Sequence, residues 1–468
     1  LQLGCALQLM TVRFLGTFLE QPLAVPESVV AFAAEQLHIS DWSDLPQYGH
    51  SRARFDNRPQ IRERYGYKDL SESGEQWSLM RWLYARVWHS ADTPVVLFDL
   101  ATLRLFERKV LLPGVTVLER LVARIADQAS ERLWERMARR LDKDQASSLL
   151  ELLERAPDSP FSNLEMLHRP VLRQSGPGLV EALSRYDRLR SLGVSDVDLS
   201  ALPTARIRNM AQQAVVRSPT TLRHWSDHHL LGTLLAFAWV YETRALDDAL
   251  DLFDVVMMSV FKAAEEQGQE WQRQTRKELD NAALRLADIC DVLVDPKIRN
   301  VSVRKRAYEV ASRELIQQAI QIVRELARPP EERLEKEMVE RYRQIVLFLP
   351  TLLRTLDFQA TKGGQAVLKS LRFVHDHLST LSKADFSSAP REGISRGWEH
   401  RMINARGRVD SRAYVVWTAS RLRDGLRRHD LYVPRSERWS NVQLDLIQPD
   451  EWQHLRPQVC RALDLPTS

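Results

Sequence analysis

Residues 115–143 read VTVLERLVARIADQASERLWERMARRLDK, and this stretch decides the class of the fold. Leu118, Leu121, Val122, Ile125, Ala129, Leu133, Met137 and Leu141 recur at the i, i+3, i+4, i+7 spacing of one helical face. Arg132, Arg136 and Arg140 stand four apart, with Arg139 and Lys143 beside them and Arg120 and Arg124 earlier on the same helix. Like charges four apart cost a bare helix roughly a few tenths of a kcal/mol, so an unneutralised stripe makes sense facing an anion. Just upstream, Glu107-Arg108-Lys109 ends a shorter helix, and Leu112-Pro113-Gly114 turns the chain into the next. Two helices joined by a tight, glycine-containing turn have the layout of a helix-turn-helix reader. Glu135 can pair with Arg139, so a solvated surface stripe fits the same residues.

Further helical stripes run through residues 178–192, 230–264, 279–293, 314–326 and 412–426. Turn chemistry separates them at Ser175-Gly176-Pro177-Gly178, Arg328-Pro329-Pro330 and Thr361-Lys362-Gly363-Gly364. Alternating strand patterns are almost absent, apart from a short hairpin expected near residues 402–409. The chain is therefore expected to be all-α, a multi-module helical array with helix-turn-helix-like DNA-binding segments and no fixed-period repeat. Four modules are expected: 1–92, 93–158, 159–328 with an acidic centre suited to dimerisation, and 329–468.

A chain of 468 residues has room for two to four such domains. Its 44% hydrophobic and 27% charged residues are ordinary for a globular protein, and 17 Gly with 21 Pro are too few for a low-complexity chain. Cys5, Cys290 and Cys460 are far apart, which excludes a disulfide framework and a cysteine zinc site and points to a reducing cytoplasm. No apolar run reaches the roughly 18–20 residues that span a bilayer. The opening apolar stretch carries Arg13 and lacks a basic leader, so it reads poorly as a signal peptide. It starts with Leu1 in what reads as mid-helix, and a fragment is expected.

Net charge is only +4, but it is unevenly spread. Residues 50–68 hold six Lys and Arg against two acids, residues 104–143 ten against six, and residues 169–223 nine against four. Residues 242–295 reverse the sign with thirteen acids and six bases, and residues 391–438 reverse it again with twelve arginines and six acids. One acidic module lies between stretches suited to a polyanion. Arginine dominates the basic stretches, favouring forked contacts to phosphates and base edges, although codon bias toward arginine gives the same composition.

Two further basic constellations stand out. Arg52, Arg54, Arg58, Arg62, Arg64 and Lys68 are interleaved with Phe55, Tyr65 and Tyr67, as suits backbone tracking or stacking, or an amphipathic helix with a solvated basic face. Arg421, Arg423, Arg427 and Arg428 lead into Arg435 and Arg438; they suit phosphate, or internal pairing with Asp424, Asp430 and Glu437. Asp247-Asp248-Ala249-Leu250-Asp251 has carboxylates spaced to hold Mg²⁺ on a diphosphate, the alternative reading, but no second acidic motif accompanies it. A solvated acidic face is expected there instead. His224, His228 and His229 with Asp227 have zinc-compatible spacing without a remote partner, so no metal site is assigned. There is no G-x-S-x-G and no Walker loop, and no catalytic residue is assigned.

The run Leu3-Gly4-Cys5-Ala6-Leu7-Gln8-Leu9, followed by Arg13-Phe14-Leu15-Gly16, resembles the N-terminal region of Tn-three family transposases, the enzymes of replicative bacterial transposons. The resemblance continues through Arg81-Trp82-Leu83-Tyr84-Ala85-Arg86, residues 107–114, Asp247-Asp248-Ala249-Leu250-Asp251-Leu252 and Phe348-Leu349-Pro350-Thr351-Leu352-Leu353. It closes with Asp430-Leu431-Tyr432-Val433-Pro434 and residues 457–463, in order along the whole chain. It implies binding to double-stranded DNA at transposon terminal inverted repeats, help in pairing two transposase copies as a homodimer, and a nucleoid-associated place in the bacterial cytoplasm. It also implies strand cleavage and transfer with Mg²⁺ held by an Asp-Asp-Glu triad in a domain C-terminal to these residues. The fragment itself is then expected to bind DNA without cutting it and without a cofactor, the acidic Asp247 cluster serving packing or an interface. A helical scaffold protein is the remaining alternative.

Overall fold

The computed structural model describes all residues except 73, 156–158, 327–329, 380–385, 404–406, 443–445, 448 and 463–468. Eight helices open the chain: α1 (Gln2–Leu15), α2 (Glu27–Gln36), α3 (Leu45–His50), α4 (Ala53–Tyr65), α5 (Glu75–His89), α6 (Pro94–Glu107), α7 (Val115–Ala138) and α8 (Lys143–Leu150). Then come α9 (Asn163–His168), α10 (Gly176–Arg190), α11 (Thr204–Val216), α12 (Pro219–Leu222) and α13 (Asp227–Val294). The rest holds α14 (Asn300–Val310), α15 (Arg313–Leu326), α16 (Pro330–Glu340), α17 (Tyr342–Val346), α18 (Leu349–Thr355) and α19 (Gln365–Asp376). It ends with α20 (Arg396–Met402), α21 (Ser411–Arg427) and α22 (Pro449–Ala462). Among the described residues the only sheet joins β1 (Gln359–Ala360) and β2 (Leu431–Tyr432), antiparallel with Gln359 opposite Tyr432. The chain is all-α, as the periodicity predicts. No described helix is long and apolar enough to cross a membrane.

The described residues group into two compact units, each drawn from two stretches of chain. Unit 1 comprises Leu1–Met166 and Leu192–Val240, and unit 2 comprises Leu167–Ser191 and Tyr241–Ser468. The boundaries expected around residues 156–160 and 328–330 fall largely outside the described residues. The expected hairpin near 402–409 is represented by one antiparallel bridge, Ile403 to Val409, with residues 404–406 outside the description.

In unit 1, α5, α6 and α7 enclose a core of Leu79, Leu83, Leu97, Leu105, Leu118, Val122 and Ile125. Seven of the eight stripe positions on α7 are buried; Leu141 lies beyond the helix end and is only half-buried. α6 starts where Thr93 accepts from the Val96 N–H and Pro94 fills the first turn, which lacks helical partners for its N–H groups. α8 starts on a reciprocal capping box between Asp142 and Gln145. The link from α6 to α7 covers residues 108–114, longer than the three or four residues usual between the helices of a helix-turn-helix.

α13 is one helix of 68 residues, so the two stripes expected at 230–264 and 279–293 are parts of a single element about 100 Å long. The polar residues between them remain helical because nothing there breaks a helix: no Pro occurs and the lone Gly268 stands in open space. Unit 2 is built around α21, in which every residue from Ala413 to Ser420 is buried. Such a helix is covered on all sides. Phe373, Phe386, Tyr414 and Trp417 pack around it edge-on or tilted, with ring centroids 5.3–5.6 Å apart along the chain of contacts. Its interior threonine and serine hydroxyls are satisfied within the helix, Thr418 donating to the Tyr414 carbonyl and Ser420 to that of Val416, while the Tyr414 hydroxyl donates to the Pro390 carbonyl.

Candidate nucleic-acid interface

The first basic constellation lies on α4 and the turn after it, and the fold sorts its members. Gly4 on α1 lets the Tyr48 ring pack against the helix, where a Cβ would overlap the ring. The Tyr48 hydroxyl donates to Gln8 (3.1 Å) and accepts from Asn57 (2.7 Å), while the Gln8 amide donates to the Arg54 carbonyl. This network fixes α4 on α1. Arg54 turns inward to donate to the Gly49 carbonyl at 2.6 Å, and Arg58 donates to that of Leu19 at 2.9 Å while lying near the Phe18 ring. Arg62 is paired with Glu72. Arg52 and Arg64 are exposed and make no ion pair among the described residues.

Lys68 reaches Glu75 at 2.8 Å, and Arg108 reaches the same carboxylate at 3.2 Å. Glu75 is buried at the start of α5, and the Lys68 bond, helped by Arg108, holds its carboxyl below the usual range. Two cations share one carboxylate, so a positive charge is left over. The same place joins the two basic stretches: Lys68 N–H donates to the Lys109 carbonyl and Leu111 N–H to that of Lys68, both at 2.9 Å. Sequence reasoning passed over Arg108 and Lys109 as site residues. The signal was present in Glu107-Arg108-Lys109 at a helix end where a glycine cap is usual. Lys109 has φ 54, Val110 N–H bonds back to Leu105 and Lys109 N–H to Phe106, the double closure of a Schellman cap.

On α7, Arg120 and Arg124 are exposed without an ion pair among the described residues. Val115 and Val117 beside them are 62% and 57% exposed. Arg132 donates to the Tyr84 hydroxyl at 3.5 Å, which holds its pKa up, and Arg136 lies 5.1 Å from the Trp88 ring centroid. Arg139 pairs with Glu135 at 3.3 Å, the pairing the spacing allows. Arg140 and Lys143 are exposed, Arg140 acting at long range on Asp198.

The third constellation is mostly interior chemistry. Arg423 is 7% exposed, pairs with Asp254 at 2.7 Å and lies 5.4 Å from the Phe261 ring, so its assignment to DNA is corrected: it holds α21 to α13. Arg421 faces Asp424 at 3.7 Å, while Arg427 and Arg428 remain exposed at the helix end. The acidic run is corrected in the same way. Buried Asp247 accepts from Ser436 Oγ (2.5 Å) and the Glu437 N–H (3.2 Å), and burial raises its pKa against the pull of those bonds. Asp248 pairs with Arg185 at 2.9 Å, Asp251 with Arg438 and the Trp439 indole, and Glu242 with Arg435. These carboxylates form a packed seam and not a solvated face, and their oxygens are engaged by arginine, serine, backbone and indole donors of the chain itself.

The histidines are separated by the fold. His229 lies between Trp134 (3.5 Å) and Trp225 (3.8 Å), near-parallel to both, and burial drives its pKa down to about 4. Gly232, one turn on, sits against the Trp134 backbone, where a Cβ would come within 3.1 Å. His228 faces Glu131 and Glu135 instead, with donor atoms within 4.8 Å of one another. By donor type the three could hold a divalent ion, but all are at or near the surface and Glu135 already carries Arg139.

A family model described as "Domain of unknown function (DUF4158)" matches residues 1–125, the region that carries the Gly4–Tyr48 packing and the Lys68–Glu75–Arg108 junction. The chain is 37% identical, over 99% of its length, to the transposase for transposon gamma-delta of Escherichia coli (strain K12), covering 46% of that protein. It is 28% identical over 66% of its length to the transposase for transposon Tn4556 of Streptomyces fradiae, and 21% identical over 96% to that for Tn1546 of Enterococcus faecium. These cover 37% and 46% of the respective relatives. The resemblance read from the sequence is thus matched by relatives that are transposases. Along essentially its whole length the chain is similar to transposases of bacterial transposons, and it spans a little under half the length of the relatives it matches.

Proposed function

We propose that this part of a transposase binds duplex DNA at the terminal inverted repeats of its transposon and helps assemble the complex that holds two transposon ends. The observation that carries the reading is the charge left unneutralised in unit 1. Arg52, Arg64, Arg120, Arg124 and Lys143 are exposed without an ion pair among the described residues, and Glu75 neutralises only one of Lys68 and Arg108. Such charge is retained where an anion supplies the partner. Within it, α6 and α7 act in the manner of a helix-turn-helix. The first turns of α7 present Val117, Arg120 and Arg124 to the major groove, an apolar group for a thymine methyl and two forked donors for guanine edges. Phosphates are met by Arg64, Lys68 and Lys109 at the junction and by Arg136, Arg140 and Lys143 further along.

The same reading places pairing of two copies in the full-length protein, cytoplasmic work at the nucleoid, and Mg²⁺-dependent strand chemistry in a domain beyond these residues. It assigns no cofactor and no catalytic step to this chain. The test is fluorescence anisotropy of the chain on the terminal-repeat duplex and on a shuffled duplex, at low and moderate salt. Tighter binding to the repeat that survives the salt step is expected. Arg120→Ala with Arg124→Ala should abolish the preference and leave the salt dependence close to that of the parent, because the slope counts neutralised phosphates and these two arginines are assigned to base edges. Equal binding to both duplexes would overturn the sequence-reading role.

A further inference from the structure

Helix α1 is apolar on more than one side. Leu3 and Leu7 pack into a core with Val30, Ala33 and Ala34 of α2, while Phe14 and Leu15 stand at the surface, 83% and 52% exposed. Helix α2 repeats the pattern, with Phe32 53% exposed outside the same core. Between the two runs a groove of about 430 Å³, walled by Met10, Phe14 and Leu15 on one side and by Val25, Val29 and Phe32 on the other. Phe106 of α6, itself exposed, lies against Gly16 and prolongs the apolar face past the end of α1. Single apolar residues are ordinary on a surface, but a contiguous apolar groove marks a place where another macromolecule packs.

The rim narrows the choice of partner. Arg13 stands on the α1 side beside Phe14, and Glu27 and Glu35 stand at the two ends of α2. All three are exposed and make no ion pair among the described residues. Two carboxylates on one wall repel phosphate, so neither a DNA strand nor an anionic membrane suits the groove. Opposite signs on its two walls suit a second copy of the same groove. With a two-fold axis running along the groove, the α1 wall of each copy lies over the α2 wall of the other. Arg13 then meets the acidic wall twice, and each Phe14 enters the groove of the opposite copy beside Val29 and Phe32.

We propose that the α1–α2 groove of unit 1 is a self-pairing surface, through which two copies of this chain associate about a two-fold axis. Phe14 is the central anchor, and Arg13 with Glu27 and Glu35 fixes the register. None of these residues belongs to the set assigned to DNA, so pairing and duplex binding do not compete for side chains. The inference deepens the reading above by naming where two copies pair, and it rests on that reading only for the role of the pair.

The test is sedimentation equilibrium of the whole chain without DNA, up to about 100 μM, beyond the micromolar end for interfaces of standard size. A reversible dimer is expected. Phe14→Asp should weaken it at least about thirtyfold, the scale of an aromatic anchor, with the helical circular dichroism spectrum unchanged. Arg13→Glu in one chain, and Glu27→Arg with Glu35→Arg in another, should each weaken self-pairing severalfold. An equimolar mixture of these two chains should associate as tightly as the parent, because every rim contact then joins opposite charges again. That recovery separates a lost contact from a damaged fold. A chain that stays monomeric over the whole range, a dimer that survives Phe14→Asp, or a mixture that regains nothing overturns the proposal. Each of these leaves the duplex reading standing, since anisotropy on the terminal-repeat duplex is measured below the concentration at which copies pair. A dimer that distinguishes no duplex overturns that reading and not this one.

Discussion

Arginines that look alike in the sequence are differently supplied with partners in the two units. Around α4 and α7, Arg52, Arg64, Arg120 and Arg124 are left without carboxylate partners among the described residues. Around α21, Arg423, Arg435 and Arg438 meet Asp254, Glu242 and Asp251 of α13. The difference lies in partner supply. The acidic partners of unit 2 lie 169 to 193 residues away in the chain; Arg423 meets one of them from the buried helix α21, and Arg435 and Arg438 meet the others from the segment after β2. A local count of charges sees twelve arginines against six acids there and misses that Arg423, Arg435 and Arg438 are met by carboxylates of α13.

The strongest way to break this comparison is to remove one cation from the unit 2 seam. Arg423→Ala leaves Asp254 facing an apolar helix without its partner. Since Asp254 is about a quarter exposed, the loss is expected at the low end of a broken buried pair, about 3 kcal/mol. Urea denaturation measures it, and affinity for duplex DNA should stay within twofold of the parent under native conditions. A DNA-affinity loss without a stability loss would place Arg423 with the unit 1 arginines after all.

The next largest effect belongs to unit 1 and concerns a group that avoids charge. His229 is held neutral between two tryptophans, its pKa lowered from 6.5 to about 4. The unfolded chain therefore takes up a proton in this window that the folded chain refuses. The contribution is intact above pH 6.5 and is lost as pH falls toward 4, by up to about 3 kcal/mol. His229→Phe keeps a ring in the sandwich and should flatten that part of the stability profile. An unchanged pH dependence would mean that the imidazole charges in place.

A smaller effect separates two parts of one helix. Arg136→Ala with Arg140→Ala should weaken duplex binding and make the salt dependence shallower by about one to two units, with stability unchanged within about 0.5 kcal/mol. An unchanged slope would put that end of α7 away from DNA and confine the interface to its first turns.

Much of the fold was legible because helical periodicity is local. The α7 stripe, the break at Ser175-Gly176-Pro177-Gly178 before α10 and the turn at Gly114 follow from neighbours within a few residues. The union of two stripes in α13 was not legible, because a polar stretch without Pro reads equally as a link or as helix. Within the candidate site, the Glu135–Arg139 pair was legible from its spacing, whereas the inward turn of Arg54 and Arg58 depends on carbonyls at Gly49 and Leu19 that no charge pattern marks. The junction at Glu75 was missed because it takes a Lys from one basic stretch and an Arg from the next.

The finest distinction between the two units rests on three helix ends of the same geometry. His38, Lys109 and His429 all occupy the left-handed cap position, at φ 55, 54 and 57, that glycine fills without strain. In unit 2 His429 is half-buried, with its Nδ1 shielded from water. In unit 1 Lys109 is exposed and spends its ammonium on one long bond, 3.3 Å to the Tyr65 carbonyl. A backbone penalty kept for so little internal return implies a return from outside. Lys109→Gly should therefore raise stability by roughly 0.5 kcal/mol, the relief of the cap less the lost bond and the added freedom of the unfolded chain. The same change should weaken duplex binding severalfold and flatten the salt dependence by about 0.9. His38→Gly provides the control within the same unit, with the same gain in stability expected and no change in binding. If both substitutions stabilise and neither touches DNA affinity, the charge at the junction of α4 and α6 is surface decoration, and the unit 1 interface shrinks to α7.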